Sequence, residues 1–265
     1  MNTKLPDASR IDVRVVVLGL FFVVGAAWAY LLGGPMSRMH ITGGDMMQMR
    51  MSPAWTFSYA ATIFAMWAVM MLAMMLPVSA PAILRAVRGA NSAPPGSGGL
   101  STALAFTGAY MLVWLSFGVS ATLLQWGLYS ADLLSDDMAV RSRLVGGSLA
   151  LAVGLYQFSP LKQEALRRCR SSDDRLPNNT SRSAASVWRL GLRHGLSCLS
   201  CCWALMLLPF VGGLMNPVWM AAATLLALAE RIFPRGDRVA RLSGAGLILL
   251  GGYSLAIAVQ RSAAG

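Results

Sequence analysis

Charge is what this chain has least of. Asp, Glu, Lys and Arg make up only 12% of its 265 residues, about half of the roughly 25% found in ordinary soluble domains. The charges that are present gather in short clusters between long apolar runs, and 56% of the residues are hydrophobic, with a mean hydropathy of +0.57. A soluble globular domain and a disordered chain are both excluded by that balance. Cysteine is scarce too, at four residues, so a disulfide scaffold is excluded. No Gly-Lys-Ser/Thr phosphate loop occurs, which leaves the chain no cradle for hydrolysing nucleotides. Repeats with a period of 20 to 50 residues are also missing, which removes solenoids.

What is present is apolar length. A bilayer core needs about 20 mostly apolar helical residues, because backbone polar groups cannot go unpaired in hydrocarbon. Seven stretches meet that need: Val13 to Leu32, Ala54 to Leu76, Leu100 to Leu124, Leu144 to Phe158, Gly195 to Leu214, Val218 to Phe233, and Leu242 to Val259. The expected fold class is all-α, a polytopic transmembrane helix bundle forming one integral membrane unit over residues 1–265. The fourth and sixth stretches are short, so six spans is the alternative. Ala27-Trp28-Ala29 at the end of the first span resembles a signal-peptide cleavage site, but the apolar run continues to Leu32 and is read as an uncut anchor.

The net charge of +11 raises a nucleic-acid partner, since basic surfaces neutralise phosphates. Sorting the connecting segments by side removes that partner. With the N-terminus in the cytoplasm, 17 of the 22 Lys and Arg fall inside and 5 outside, giving about +10 inside and +1 outside once the acidic residues are included. The positive charge is therefore a topology signal of an inner bacterial membrane protein. Residues 160–193 hold the largest share and are expected as a basic cytoplasmic loop, while Gly89 to Gly99 reads as a flexible linker.

Methionine is abundant, at 17 residues. Met36, Met39, Met46, Met47, Met49 and Met51 fall within sixteen consecutive positions, with His40 among them, in a polar extracytoplasmic segment, 34–53. Thioethers are soft, uncharged ligands, so this set suits Cu(I) better than Zn(II) or Mg(II). A Met-rich amphipathic segment lying on the lipid surface is the alternative. In the second span Met66, Met70 and Met74 repeat every four residues beside Met71 and Met75, forming two thioether columns on one helix. Pro77 is expected to close that helix at its cytoplasmic end.

The densest cluster opens the fifth span: His194, Cys198, Cys201 and Cys202, followed by Trp203 and Met206. At helical spacing the imidazole and three thiols fall within an arc of about 100°, so one face presents four metal-ligating groups in its first two turns. Small residues allowing close helix contact are the competing reading for the cysteines. If the second and fifth spans touch, Met70 or Met74 completes a soft site with Cys198 and Cys201. The expected metal ligands are therefore His194, Cys198, Cys201, Cys202, Met70, Met74, Met75 and Met206 within the bundle, and His40, Met36, Met39, Met46, Met47 and Met49 outside it.

Several of these residues carry a family resemblance. The run Trp67, Met70, Ala73, Met74, Met75, Pro77, the segment Tyr156 to Lys162, the run Gly191 to Gly195, then Cys198, Cys201 to Met206, and Met215-Asn216 with Trp219-Met220 and Glu230 resemble a bacterial family of predicted metal-binding integral membrane proteins of unknown function. The resemblance covers most of the chain after Ala54 and implies a metal site without naming the metal. One departure stands out: where the family pattern has two cysteines after Pro160-Leu161-Lys162, this chain has Ala165 and Cys169, which puts one ligand in doubt.

Charge within the spans is nearly absent. Glu230 beside Arg231 reads as a boundary residue that pairs or snorkels, and without buried acids a proton-coupled pump of the usual kind is disfavoured. The leading expectation is a protein that handles Cu(I) by transfer or transport, with a metallochaperone or membrane metalloenzyme as partner besides the bilayer and no nucleic acid. A non-transporting assembly factor or chaperone is the second reading. A thiol oxidoreductase using Cys198 and Cys201 is the third, and no other catalytic group is apparent.

Overall fold

Apolar chain can bond its own backbone only as helix, and helix is what forms. The computed structural model describes residues 7–33, 56–91, 98–131, 133, 142–174, 183–213 and 216–263, with no strand among them. In chain order the helices are α1 (Asp7–Gly33), α2 (Phe57–Asn91), α3 (Gly99–Ser130), α4 (Arg143–Phe158), α5 (Pro160–Asp174), α6 (Ala184–Cys202), α7 (Leu208–Gly212), α8 (Pro217–Ile232) and α9 (Gly236–Ala263); a short 3-10 turn, Leu205–Leu207, joins α6 to α7.

Four of these, α1, α2, α3 and α9, are long and apolar enough to cross a membrane. Two further crossings arise if α4 with α5, and α6 with α7, each count as one bent span, the bends being 63° and 65°. Among the described residues the count is therefore four to six, which reaches the six-span alternative at most and does not confirm seven. The sixth expected span is α8, whose 16 residues fall short of the roughly 20 a bilayer needs and end on the buried Glu230 and Arg231. The fifth expected span differs as well. Its helix starts at Ala184, eleven residues before Gly195, because Ser183 caps it by accepting from the Ser186 N–H; Arg189 and Arg193 interrupt the hydropathy there without interrupting the helix. Segment 160–193 likewise carries helix over Pro160–Asp174 and again from Ala184.

Pro77 does not end α2, which continues through Pro77 and Pro81 to Asn91. A proline inside a helix removes the N–H that would reach the carbonyl four residues back. That carbonyl belongs to Ala73, and the indole Nε1 of Trp28 donates to it at 3.1 Å. A side chain from α1 thus supplies the missing donor, as apolar surroundings require.

Helix α3 lies between α2 and α6, while α1 packs on α2. Trp67, fully buried, donates its indole Nε1 to Gln125 Oε1 at 3.0 Å and so ties α2 to α3. Helices α4 and α9 meet through reciprocal glycines. A Cβ on Gly154 would stand 2.9 Å from the Gly244 carbonyl, and one on Gly251 would stand 2.7 Å from that of Gly147. Small residues at seven-residue spacing on both helices let the backbones approach closely. Phe21, Phe22, Leu242, Leu249 and Tyr253 on α1 and α9 face outward, each at least 70% exposed.

Candidate functional site

The site is built where α6 breaks. Gly191 and Gly195, one turn apart, bring α6 against α3, where a Cβ at Gly191 would lie 2.5 Å from the Phe106 carbonyl. That contact sets His194 against the rings of Phe106 and Tyr110, with centroids 5.5 and 5.7 Å away. Below it come Cys198, Cys201 and Cys202, and after Cys202 the regular helix stops. The expected four-residue face is fully turned inward: His194 and the three cysteines are all buried. Because α6 starts early, however, they lie in its second half rather than in its first two turns.

A helix that breaks among apolar neighbours leaves carbonyls without partners. Two side chains supply them. Lys162 Nζ donates to the Cys201 carbonyl at 2.5 Å, and Tyr156 Oη donates to that of Ser200 at 2.9 Å. Lys162 is completely buried and also pairs with Glu230 Oε2 at 2.5 Å. The other carboxylate oxygen of Glu230 accepts from Gln157 Nε2 at 2.7 Å, and Gln157 further donates to Ser243. Glu230 is therefore not a boundary residue paired with its neighbour Arg231. It sits 1% exposed at the junction of α4, α5 and α8, held by Lys162.

The thiols touch one another. Cys201 Sγ lies 3.3 Å from Cys202 Sγ and 3.2 Å from the Cys198 carbonyl. Cys169, on α5, adds a fourth thiol, fully buried beside Cys198 and Cys201. None of the four cysteines is in a disulfide. Cys198 Sγ also meets Tyr110 Oη at 3.3 Å, and that hydroxyl donates to the Met75 carbonyl at 3.1 Å. Since a phenol has one proton for these two neighbours, the Cys198 thiol is the donor to Tyr110 whenever Met75 receives the hydroxyl proton. Tyr110 thereby links the thiol cluster to the methionine-bearing turn of α2.

Arg231 completes the surroundings. Its Nη2 is 2.9 Å from His194 Nε2, and its Nη1 is 3.9 Å from Cys198 Sγ. A guanidinium only donates, so His194 Nε2 accepts, which leaves the imidazole neutral with that lone pair engaged.

Met70, Met74 and Met75 on α2 and Met206 in the 3-10 turn are buried in the same core as the cysteines. Tyr110 joins the α2 columns to the thiols, through the Met75 carbonyl on one side and Cys198 Sγ on the other. Met36, Met39, His40, Met46, Met47 and Met49 lie outside the described residues. Among the described residues no group of three or more His, Cys, Asp or Glu side chains forms a ready-made cage for a metal ion. The thiols contact one another instead. Their chemistry nonetheless fits a soft, low-coordinate cation, because thiolates select Cu(I) over hard ions.

Cys169, Lys162, Tyr110 and Arg231 were not among the expected ligands. Two of them could have been found from spacing. Lys162, Ala165, Leu166 and Cys169 share one face of α5 and are all buried, a pattern of three, four and seven residues that an amphipathic helix turns inward. Asn216 caps α8, accepting from the Val218 N–H at 3.0 Å.

A family model described as PpoB2, copper chaperone, matches residues 64–254. The match spans Trp67 to Met75, Tyr156 to Lys162 and Gly191 to Met206, so every cysteine of the cluster lies inside it. Neither the curated proteins nor the solved structures contain a match to the chain.

Proposed function

The chain belongs to the PpoB2 copper chaperone family, and from that membership we propose that it is an integral membrane chaperone taking Cu(I) as cargo on the thiols of Cys169, Cys198, Cys201 and Cys202. The observation that carries this reading is the meeting of four reduced thiols from two helices in one buried cluster. Thiolates are the ligands that hold Cu(I) most selectively. Binding releases the thiol protons to water, and the ion replaces the thiol–thiol contacts. Met206, and Met70, Met74 and Met75 on α2, supply thioethers around that set, and His194 joins it only if its bond to Arg231 opens. The break after Cys202 offers the nearest way in, since Trp203 beside it is 39% exposed.

In this reading the helices span the inner membrane of a bacterium with the N-terminus in the cytoplasm, and the outward apolar side chains of α1 and α9 meet lipid. The outer segment with Met36, Met39, His40, Met46, Met47 and Met49 gathers the ion from the oxidising side. The cargo then passes to a metallochaperone or membrane metalloenzyme. Delivery to a partner is favoured over flow through the protein because the thiols gather at one place, whereas a conduction path needs a succession of sites.

Competition between purified protein and a chromophoric Cu(I) chelator tests the site. Wild type is expected to hold Cu(I), and Cys198→Ser/Cys201→Ser to bind it at least about tenfold more weakly, losing two soft ligands. Equal affinity and stoichiometry in the two proteins would remove the inner site. Vesicle assays are expected to show no copper flux without a partner; sustained flux would replace the chaperone by a transporter.

A further inference from the structure

Of the side chains that meet the thiol cluster, Tyr110 has more partners to serve than protons to give. It is completely buried on α3, with its ring set against His194. Its hydroxyl oxygen stands 3.1 Å from the Met75 carbonyl and 3.3 Å from Cys198 Sγ. A phenol donates one proton, and its oxygen can also accept one. In the empty site all three groups are therefore satisfied in one order: the Cys198 thiol donates to Tyr110, and Tyr110 donates to the Met75 carbonyl.

Metal binding breaks that order. When Cys198 takes a soft cation, its S–H bond is replaced by a sulfur–metal bond and the proton leaves to water, so the sulfur can only accept. An ionised acceptor draws a donor more strongly than a neutral carbonyl does. We infer that Tyr110 is a positioning residue of the metal site: its hydroxyl proton points to the Met75 carbonyl while the site is empty and turns to the Cys198 thiolate when Cu(I) is loaded. The inference rests on the copper-binding reading above and gives Tyr110 a role that reading leaves open.

The exchange asks little of the fold. Only a hydrogen moves, by rotation about the bond between ring and oxygen, and the buried ring keeps its place. Met75 lies inside α2, which runs on to Asn91, and Ser79, four residues later, has the N–H that a helix directs to that carbonyl. The carbonyl is thus not stranded when the hydroxyl turns away. Pro77 and Pro81 withhold such an N–H from the carbonyls of Ala73 and Pro77, not from Met75. Arg231 Nη1 approaches the same sulfur from 3.9 Å, so the Tyr110 hydroxyl is the nearer donor.

Infrared difference spectra of the full chain in detergent, Cu(I)-loaded minus empty, test the exchange, with an isotope label on the tyrosine rings to mark their carbon–oxygen bands. Wild type is expected to shift the band of one tyrosine on loading, and Tyr110→Phe to lose that signal. Chelator competition is expected to show Tyr110→Phe holding Cu(I) about tenfold more weakly, the order for a hydrogen bond to a charged group. Cys198→Ser keeps Tyr110 together with Cys169, Cys201 and Cys202, and provides the same reading if Tyr110→Phe does not fold. A serine hydroxyl stays protonated, so saturating Cu(I) is expected to leave the tyrosine band unmoved in that variant. A ring that merely packs gives no band shift at all. Wild type that binds Cu(I) with its tyrosine bands unchanged, or a shift that persists in loaded Tyr110→Phe or Cys198→Ser, would overturn the role of Tyr110 while leaving the copper site standing. Absence of Cu(I) binding in wild type would overturn the functional reading itself.

Discussion

Replacing Lys162 by Ala is expected to destabilise the protein by about 3–5 kcal/mol, the range for breaking a buried ion pair by removing one partner. Two losses combine there. Glu230, 1% exposed, is left without its cation, and Gln157 alone cannot neutralise it. The Cys201 carbonyl at the end of the broken helix also loses its donor, and a buried acceptor left unsatisfied costs about 1–3 kcal/mol. These are not additive, since both report on the same ammonium. The damage belongs to the stranded carboxylate, so Lys162→Met combined with Glu230→Gln is expected to recover part of the loss. Thermal unfolding in detergent reads both variants. A single variant as stable as wild type would show that the Lys162–Glu230 pair contributes nothing. Because Lys162 holds the backbone on which Cys201 stands, the same variant should also weaken Cu(I) binding.

Gly191→Leu is expected to destabilise by about 1–3 kcal/mol or more, the range for overpacking a filled interior. The reason is what a side chain would meet. Even the first carbon would stand 2.5 Å from the Phe106 carbonyl and 2.8 Å from the Ala109 methyl. Neither is the movable end of a long side chain, so α6 and α3 must separate. Separation would lift His194 from Phe106 and Tyr110 and pull Cys198 from the Tyr110 hydroxyl. At Gly246 in α9 a Cβ would meet nothing within 4 Å, and Gly246→Leu is the control, expected to leave the unfolding temperature near wild type. Equal stability of the Gly191 and Gly246 variants would contradict the close α3–α6 approach.

The helical class and the inward face of His194, Cys198, Cys201 and Cys202 could be read from hydropathy and spacing because both depend only on local periodicity. Helix limits could not. Pro77 looks like an end because proline removes a backbone bond, yet Trp28, 45 residues away, replaces the donor at Ala73. Glu230 looks like a boundary residue because its neighbour in sequence is Arg231, while its partner in space is Lys162. Cys169 is doubtful in sequence for the same reason: only the packing of α5 against α6 shows that it meets Cys198 and Cys201. Local spacing turns Lys162 and Cys169 inward, but what they meet is set by contacts between distant segments, which no local pattern encodes.

The central claim is that the buried thiols are what holds the copper. X-ray absorption at the copper edge, on protein loaded with one equivalent of Cu(I), reads the coordinating atoms directly. A first shell made of sulfur, lost in Cys198→Ser/Cys201→Ser, is the result expected; a shell of nitrogen or oxygen, or a sulfur shell unchanged in that variant, would contradict it.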